Sequence, residues 1–151
     1  MDVVAKSETS LGAKAWELMY ELFKASKPHL EKVASRFDMT PQQLLAFRQL
    51  SNERPLAMSE LAVMLGCDAS NVTSLVDKFE SRGFVERRST GRDRRVKALV
   101  LTLAGSELRD RVEVAMQTPP PAIAALEAAD QKALCAILRR ALGLVKATPG
   151  Q

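Results

Sequence analysis

The sequence predicts a mainly α chain carrying one small β-hairpin, an α+β arrangement in which the hairpin is set between helical arms. Three patterns predict it. Apolar residues recur at i, i+3 and i+4 in both terminal arms. Two short helical patterns separated by a glycine fill residues 58–82. A run dense in Arg and Lys then surrounds Ser89-Thr90-Gly91 and gives way abruptly to the apolar stretch Ala98–Leu101.

In chain order, residues 1–9 are polar and carry no periodic pattern. Leu11, Ala15, Leu18, Leu22 and Ala25 then form one stripe of a helix, which Pro28 is expected to kink or break because proline removes a donor. The pattern resumes with Leu30, Val33, Ala34 and Phe37. Thr40-Pro41-Gln42-Gln43 is a helix start, with a Thr cap, Pro in the first turn and Gln three beyond the cap. Asn52 to Pro55 reads as a turn. A helix from Met58 to Leu65 stops at Gly66, and another from Ser70 to Arg82 stops at Gly83. Two strands flank Ser89-Thr90-Gly91, and Thr102 caps a helix beginning at Leu103. Pro119, Pro120 and Pro121 interrupt the helical pattern. A last amphipathic helix spans Asp130 to Lys146, with Leu134, Ile137, Leu138, Ala141, Leu142 and Val145 on one face. The domain organisation expected is a helical region at 10–38, a central lobe at 39–102 and further helices at 103–147.

A composition of 46% apolar and 26% charged residues is that of a globular domain and excludes disorder of the whole chain. Charge is unevenly placed. Six of the eleven residues from Arg87 to Lys97 are Arg or Lys, against one acid, Asp93. That local surplus exceeds the +4 of the entire chain, so the remainder is close to neutral. A focused basic patch on a hairpin points to a phosphate-bearing partner. No apolar run approaches the roughly 18 residues that a membrane span needs. Cys67 and Cys135 form no CxxC pair, which fits a reduced intracellular protein.

Between Glu60 and Gly83 the spacing is that of a helix-turn-helix. Ala62 is small enough for close helix crossing, Gly66 permits the turn, and Leu61, Leu65, Cys67, Val72 and Leu75 form a shared core. The outward face of the second helix is left with Ser70, Asn71, Thr73, Ser74, Asp77 and Lys78. Such short donors and acceptors suit a helix reading base edges in a major groove. The basic hairpin that follows can lie along the DNA backbone, with its tip on phosphates or in the minor groove. The apolar Ala98–Leu101 strand anchors it to the core.

The stretch SNVTSLVDKFESRGFVERRSTGRDRRVKALVLT, residues 70–102, resembles the winged-helix core of the MarR family of bacterial transcription regulators. Asp93, Arg95, Leu101 and Thr102 match the family's wing signature, Asp-x-Arg followed by a strand ending in Leu-Thr. Asn71-Val72-Thr73 and Leu75-Val76-Asp77-Lys78 match its helix motif, and Arg82 to Arg87 match its junction between helix and wing. The resemblance implies a winged helix-turn-helix lobe plus a helical dimerisation region built from both termini. It further implies a symmetric homodimer, cytoplasmic in a bacterium and nucleoid-associated when bound to double-stranded DNA at a pseudo-palindromic operator. Ser70, Asn71, Thr73 and Ser74 are expected in the major groove, with Lys78 beside them. Arg95 is expected in the minor groove, and Arg88, Arg92, Arg94 and Lys97 on or near phosphates. Asp93 is expected to pair with a neighbouring Arg and hold the wing tip. Many members carry Arg where this chain has Ala69 and Ser74, so base readout here is expected to rest on shorter contacts, the wing and DNA shape. Ala57 stands where a capping Ser or Thr is usual, so the helix after it is expected to begin less sharply.

Family members often bind small aromatic or phenolic effectors between the dimer helices and the DNA-binding lobe, a position that Trp16, Tyr20, Phe47 and Arg48 would line. An aromatic stripe is more often plain core, which is the competing expectation for Trp16, Tyr20 and Phe23. Cys67 is expected to be buried and Cys135 packed, since free Cys behaves as a small hydrophobe. His29 is the only histidine and has no Cys nearby, so neither a metal site nor a catalytic dyad is expected, and no cofactor is implied. The alternative to a DNA-binding repressor released by an effector is a winged-helix protein-interaction module without specific DNA binding. A shift of promoter DNA that weakens with salt would separate the two.

Overall fold

The computed structural model describes residues 10–89 and 95–144. Expectations for residues 1–9, the turn residues Thr90 and Gly91, the DNA contacts Arg92, Asp93 and Arg94, and Val145 and Lys146 in the last helix lie outside the described residues. The described chain forms two compact units. One holds the residues up to His29 together with those from Pro119 onward, and the other holds Leu30–Thr118. The second unit is larger than the expected lobe at 39–102, because Val33 and Ala34 on one side and Leu108, Val112 and Ala115 on the other join its core.

Helix α1 runs from Leu11 to Ser35 and continues through Pro28, where a kink or a break is expected from the sequence, so there is no break. Proline removes one donor, and the helical pattern on both sides of it is strong enough to tolerate that single loss. Helix α2, Pro41–Arg48, begins as the sequence predicts. Thr40 Oγ1 accepts the Gln43 N–H at 3.2 Å, and Gln43 Oε1 accepts the Thr40 N–H at 2.9 Å. A short strand β1, Leu56–Ala57, leads directly into helix α3, Met58–Leu65. Ala57 offers α3 no side-chain cap, but Glu60 Oε2 accepts the Ala57 N–H at 2.8 Å and supplies half of a capping box.

Gly66 ends α3 at φ 60°, a left-handed conformation that costs other residues a steric penalty. Helix α4, Ala69–Ser81, starts on Asp68, whose carboxylate accepts the Asn71 N–H at 2.9 Å. The turn between α3 and α4 is therefore only Gly66–Asp68 long. Leu61, Val72 and Leu75 are buried between the helices, while Ala62, Leu65 and Cys67 are half-buried against the same core. Cys67 is thus less enclosed than expected.

Strands β2, Val85–Ser89, and β3, Lys97–Leu101, form the hairpin. The antiparallel sheet has the order β1-β3-β2, with Leu56 opposite Leu99, Arg87 opposite Leu99 and Ser89 opposite Lys97. The buried Ala98, Leu99 and Leu101 anchor the returning strand, as its apolar sequence predicts. Helix α5, Leu103–Met116, is capped by Thr102, whose Oγ1 accepts the Gly105 N–H at 3.0 Å. The core of this unit centres on Phe47, with Phe79 and Phe84 packed edge-on at ring separations of 5.2 and 6.1 Å.

In the other unit, helix α6, Pro121–Ala124, is tied to helix α7, Ala128–Ala141, by Gln131 Nε2, which donates to the carbonyls of Ile123 and Leu126 at 3.2 and 3.0 Å. Helix α7 stops at Ala141, short of the expected Lys146. Gly143 takes φ 67° and the Leu144 N–H returns to the Arg139 carbonyl at 2.9 Å, a glycine stop that periodicity alone does not reveal. No residue of α7 is buried, and Cys135, expected to be packed, is exposed. Trp16, Tyr20 and Phe23 on α1 are exposed too, so within this chain they are not core.

Candidate nucleic-acid interface

Helix α4 buries Val72, Leu75, Val76 and Phe79 along one stripe. The helical period then turns Ser70, Asn71, Thr73, Ser74, Asp77 and Lys78 to the surface, and all six are exposed. Ser70, Thr73, Ser74, Asp77, Lys78 and Ser81 line a shallow groove along the helix. Local bonds occupy some of the hydroxyl protons. Ser70 Oγ donates to Asp68 Oδ1 at 2.8 Å, and Thr73 Oγ1 donates to the Ala69 carbonyl at 2.9 Å. Both hydroxyls keep lone pairs as acceptors, whereas Ser70 joins the cap as well as the outward face. The Asn71 N–H, and secondarily the Ser70 hydroxyl, hold the Asp68 carboxyl below the usual carboxylate range.

The wing base brings cations to the same unit. Arg88, Arg95 and Lys97 are exposed, while Arg87 is half-buried. These four are not equivalent. Arg88 is already paired, its Nε and Nη2 donating to Glu86 Oε2 at 3.1 and 2.8 Å two residues back on the same face of β2. Arg87 turns inward to α4, where its guanidinium bonds Asp77 at 2.6 Å and also Glu80. Arg87, Arg95, Val96 and Lys97 line a cleft with Ala57, Met58 and Ser59 at the N-terminal end of α3. Positive side chains beside a helix N-terminus suit an anionic group. Ser59 was not a sequence-predicted site residue.

Several ties join residues far apart in this one chain. Arg82, at the C-terminal end of α4, donates to the carbonyls of Asp38 and Phe37 at 3.0 and 2.8 Å. Asn52 brackets the backbone of Leu101, accepting its N–H at 2.7 Å and donating to its carbonyl at 3.0 Å. The partners are distant in sequence, and the only local signal for Asn52 was an amide beside a turn.

The four residues expected at an effector cleft are divided between the two units. Phe47, expected at a cleft wall, is fully buried, and its ring is the centre of the core. Arg48 is engaged from α2 to α5, its Nε and Nη2 donating to the two carboxylate oxygens of Glu113 at 2.8 and 3.2 Å. That bond raises the Arg48 pKa and, as the largest cause, lowers that of Glu113. Trp16 and Tyr20 belong to the other unit, where the Lys24 ammonium lies 5.2 Å from the centre of the Tyr20 ring. Among the described residues no cluster of three or more His, Cys, Asp or Glu side chains could hold a metal, and no helix is long and apolar enough to cross a membrane.

Residues 37–96 match the model of the MarR family. YfiV of Bacillus subtilis, named as an uncharacterized HTH-type transcriptional regulator, is 36% identical over 67 residues, covering 44% of this chain and 42% of that protein. The transcriptional repressor MprA of Escherichia coli is 45% identical over 49 residues, covering 32% of this chain and 28% of that protein. The matched segments therefore span less than half the length of either relative. Among solved structures, apo MarR from Escherichia coli superposes with a TM-score of 0.77 over 94% of this chain and 99% of that one. At 19% identity this likeness shows the fold, a mostly helical winged helix with a small antiparallel sheet.

Proposed function

We propose that this chain, whose residues 37–96 match the model of the MarR family, is a transcriptional regulator that binds double-stranded DNA as a homodimer at a pseudo-palindromic operator. One observation carries the reading: a polar, exposed α4 face and the cationic wing base are built into the same unit and joined by Arg87. Ser70, Asn71, Thr73 and Ser74 present donors and acceptors to base edges, with Lys78 at the groove margin. Arg88, Arg95 and Lys97, with Arg92 and Arg94 of the wing tip, serve the backbone and the minor groove. Asp93 organises that tip. Repression is the favoured output, in line with the name of MprA. The reading needs no catalytic group and no cofactor.

Dimerisation is supported by the apolar side chains that the single chain leaves uncovered. Trp16, Phe23, Ile137 and Leu142 are 71, 69, 53 and 69% exposed. Exposed apolar surface on this scale marks an interaction site. Release by a small aromatic effector rests on Trp16 and Tyr20 alone, since Phe47 is buried and Arg48 is paired.

A second reading, a protein-interaction module, draws on Val63 and Met64, 82 and 53% exposed on α3 and lining a groove with Leu56, Arg54 and Glu60. Selection of duplexes from random DNA with the purified full chain separates the two. The DNA-binding reading expects enrichment of a sequence with two related half-sites about one helical turn apart. Absence of enrichment would favour the interaction module.

A further inference from the structure

We infer that Arg87, although it lies in the basic run, is a positioning residue that straps the wing to the DNA-facing helix rather than a phosphate contact. This rests on the DNA-binding reading above and adds a role that neither charge nor motif assigns. Arg87 borders the cleft at the start of α3 but is mostly enclosed: its side chain is 21% exposed, against 62% for its neighbour Arg88. The guanidinium reaches two carboxylates of α4, donating to Asp77 Oδ1 at 2.6 Å and bonding Glu80 as well. The Arg87 backbone N–H also donates to Glu80 Oε1, at 3.1 Å. Asp77 and Glu80 are three residues apart and so share a side of α4. One residue of β2 thus holds the last turns of the helix through side chain and main chain together. A planar, multi-donor guanidinium suits this double attachment better than an ammonium.

Two consequences follow for recognition. The strap fixes the wing strands relative to α4, so that base-reading and backbone-contacting groups meet one duplex in register. It also ties down Asp77, which is 59% exposed on the face proposed to enter the groove. Without Arg87, two uncompensated carboxylates would stand beside a polyanion.

The test uses the full chain with a duplex recovered by selection and an unrelated duplex of equal length, each titrated across a range of salt. Arg87→Ala is expected to weaken binding to the selected duplex about ten- to a hundredfold, the usual effect of losing hydrogen bonds to charged groups. Its log–log salt slope should match that of the wild type. The isosteric pair Asp77→Asn with Glu80→Gln removes two negative charges, so bulk electrostatics predicts tighter binding to both duplexes. The strap predicts weaker binding to the selected duplex and tighter binding to the unrelated one. Adding Arg87→Ala to that pair should cost little more, because the partners are already gone. Should Arg87→Ala lose its fold by circular dichroism, the Asn/Gln pair alone decides by its sign.

A salt slope reduced by about one in Arg87→Ala, or tighter binding of the selected duplex by the Asn/Gln pair, would overturn the role given to Arg87. Failure of the wild type to prefer any duplex would instead overturn the DNA-binding reading.

Discussion

At Gly105 a single carbon atom decides whether α5 can lie where it does. A Cβ there would stand 1.9 Å from the carbonyl oxygen of Phe84. That carbonyl is fixed, since it accepts the Thr102 N–H at 3.0 Å, and Thr102 Oγ1 also donates to the Gly83 carbonyl at 2.6 Å. Gly105→Ala must therefore displace backbone, and a loss of about 1–3 kcal/mol is expected from overpacking of this kind. An unchanged urea midpoint would contradict the close approach. The Arg48–Glu113 pair gives a pH-dependent counterpart. Hydrogen bonding to Arg48 lowers the folded pKa of Glu113 below its unfolded value. The pair's contribution is thus fully present above the ordinary Glu range, about 4.3, and is lost as pH falls through the lower folded value. Each partner is about one-third exposed, so the contribution is about 1 kcal/mol. Glu113→Gln should lower the Tm near neutrality, and the gap to the wild type should close on acidification; a gap constant with pH would refute the pair. Thr40, Gly66 and Thr102 were legible in the sequence because capping and left-handed turns are local chemistry. Glu113 and Asn52 were not, because their partners lie 65 and 49 residues away.

Among the elements, the wing is where sequence and structure agree on placement but differ on availability. Its charge density was plain, yet charge counting cannot tell an outward cation from one tied inward, as Arg87 is. Arg88 is an intermediate case, exposed but held by Glu86. If Arg88 meets a phosphate it must leave that carboxylate. Glu86→Gln should then tighten binding to every duplex, while Arg88→Ala should weaken all sequences about equally and reduce the salt slope by about one. Arg88→Ala with an unaltered slope would remove Arg88 from the phosphate contacts. Elsewhere, long apolar periods located α1, α4 and α7 well, but their ends followed finer rules. Pro28 did not stop α1, and Gly143 stopped α7 before its apolar stripe ran out. Strand β1, at two residues, is too short to show any period and exists because it pairs with β3.

For the whole molecule, the lobe from Leu30 to Thr118 has its own buried core, while the unit formed by both chain ends leaves its large apolar side chains in contact with solvent. A second copy covering those faces would place two lobes on one duplex, which is the physical reason to expect paired half-sites. The sequence pattern marked these helices as amphipathic but could not say whether their apolar stripes meet within one chain or between two. The most direct test of the central proposal is equilibrium binding of the full chain to its selected duplex and to an unrelated one, followed across salt concentrations together with the stoichiometry. Two chains per duplex are predicted, with the selected sequence preferred by at least about a thousandfold. If each chain neutralises four phosphates through Arg88, Arg92, Arg94 and Lys97, the log–log slope should be roughly −7. Equal affinity for the two duplexes, or binding indifferent to salt, would contradict the account.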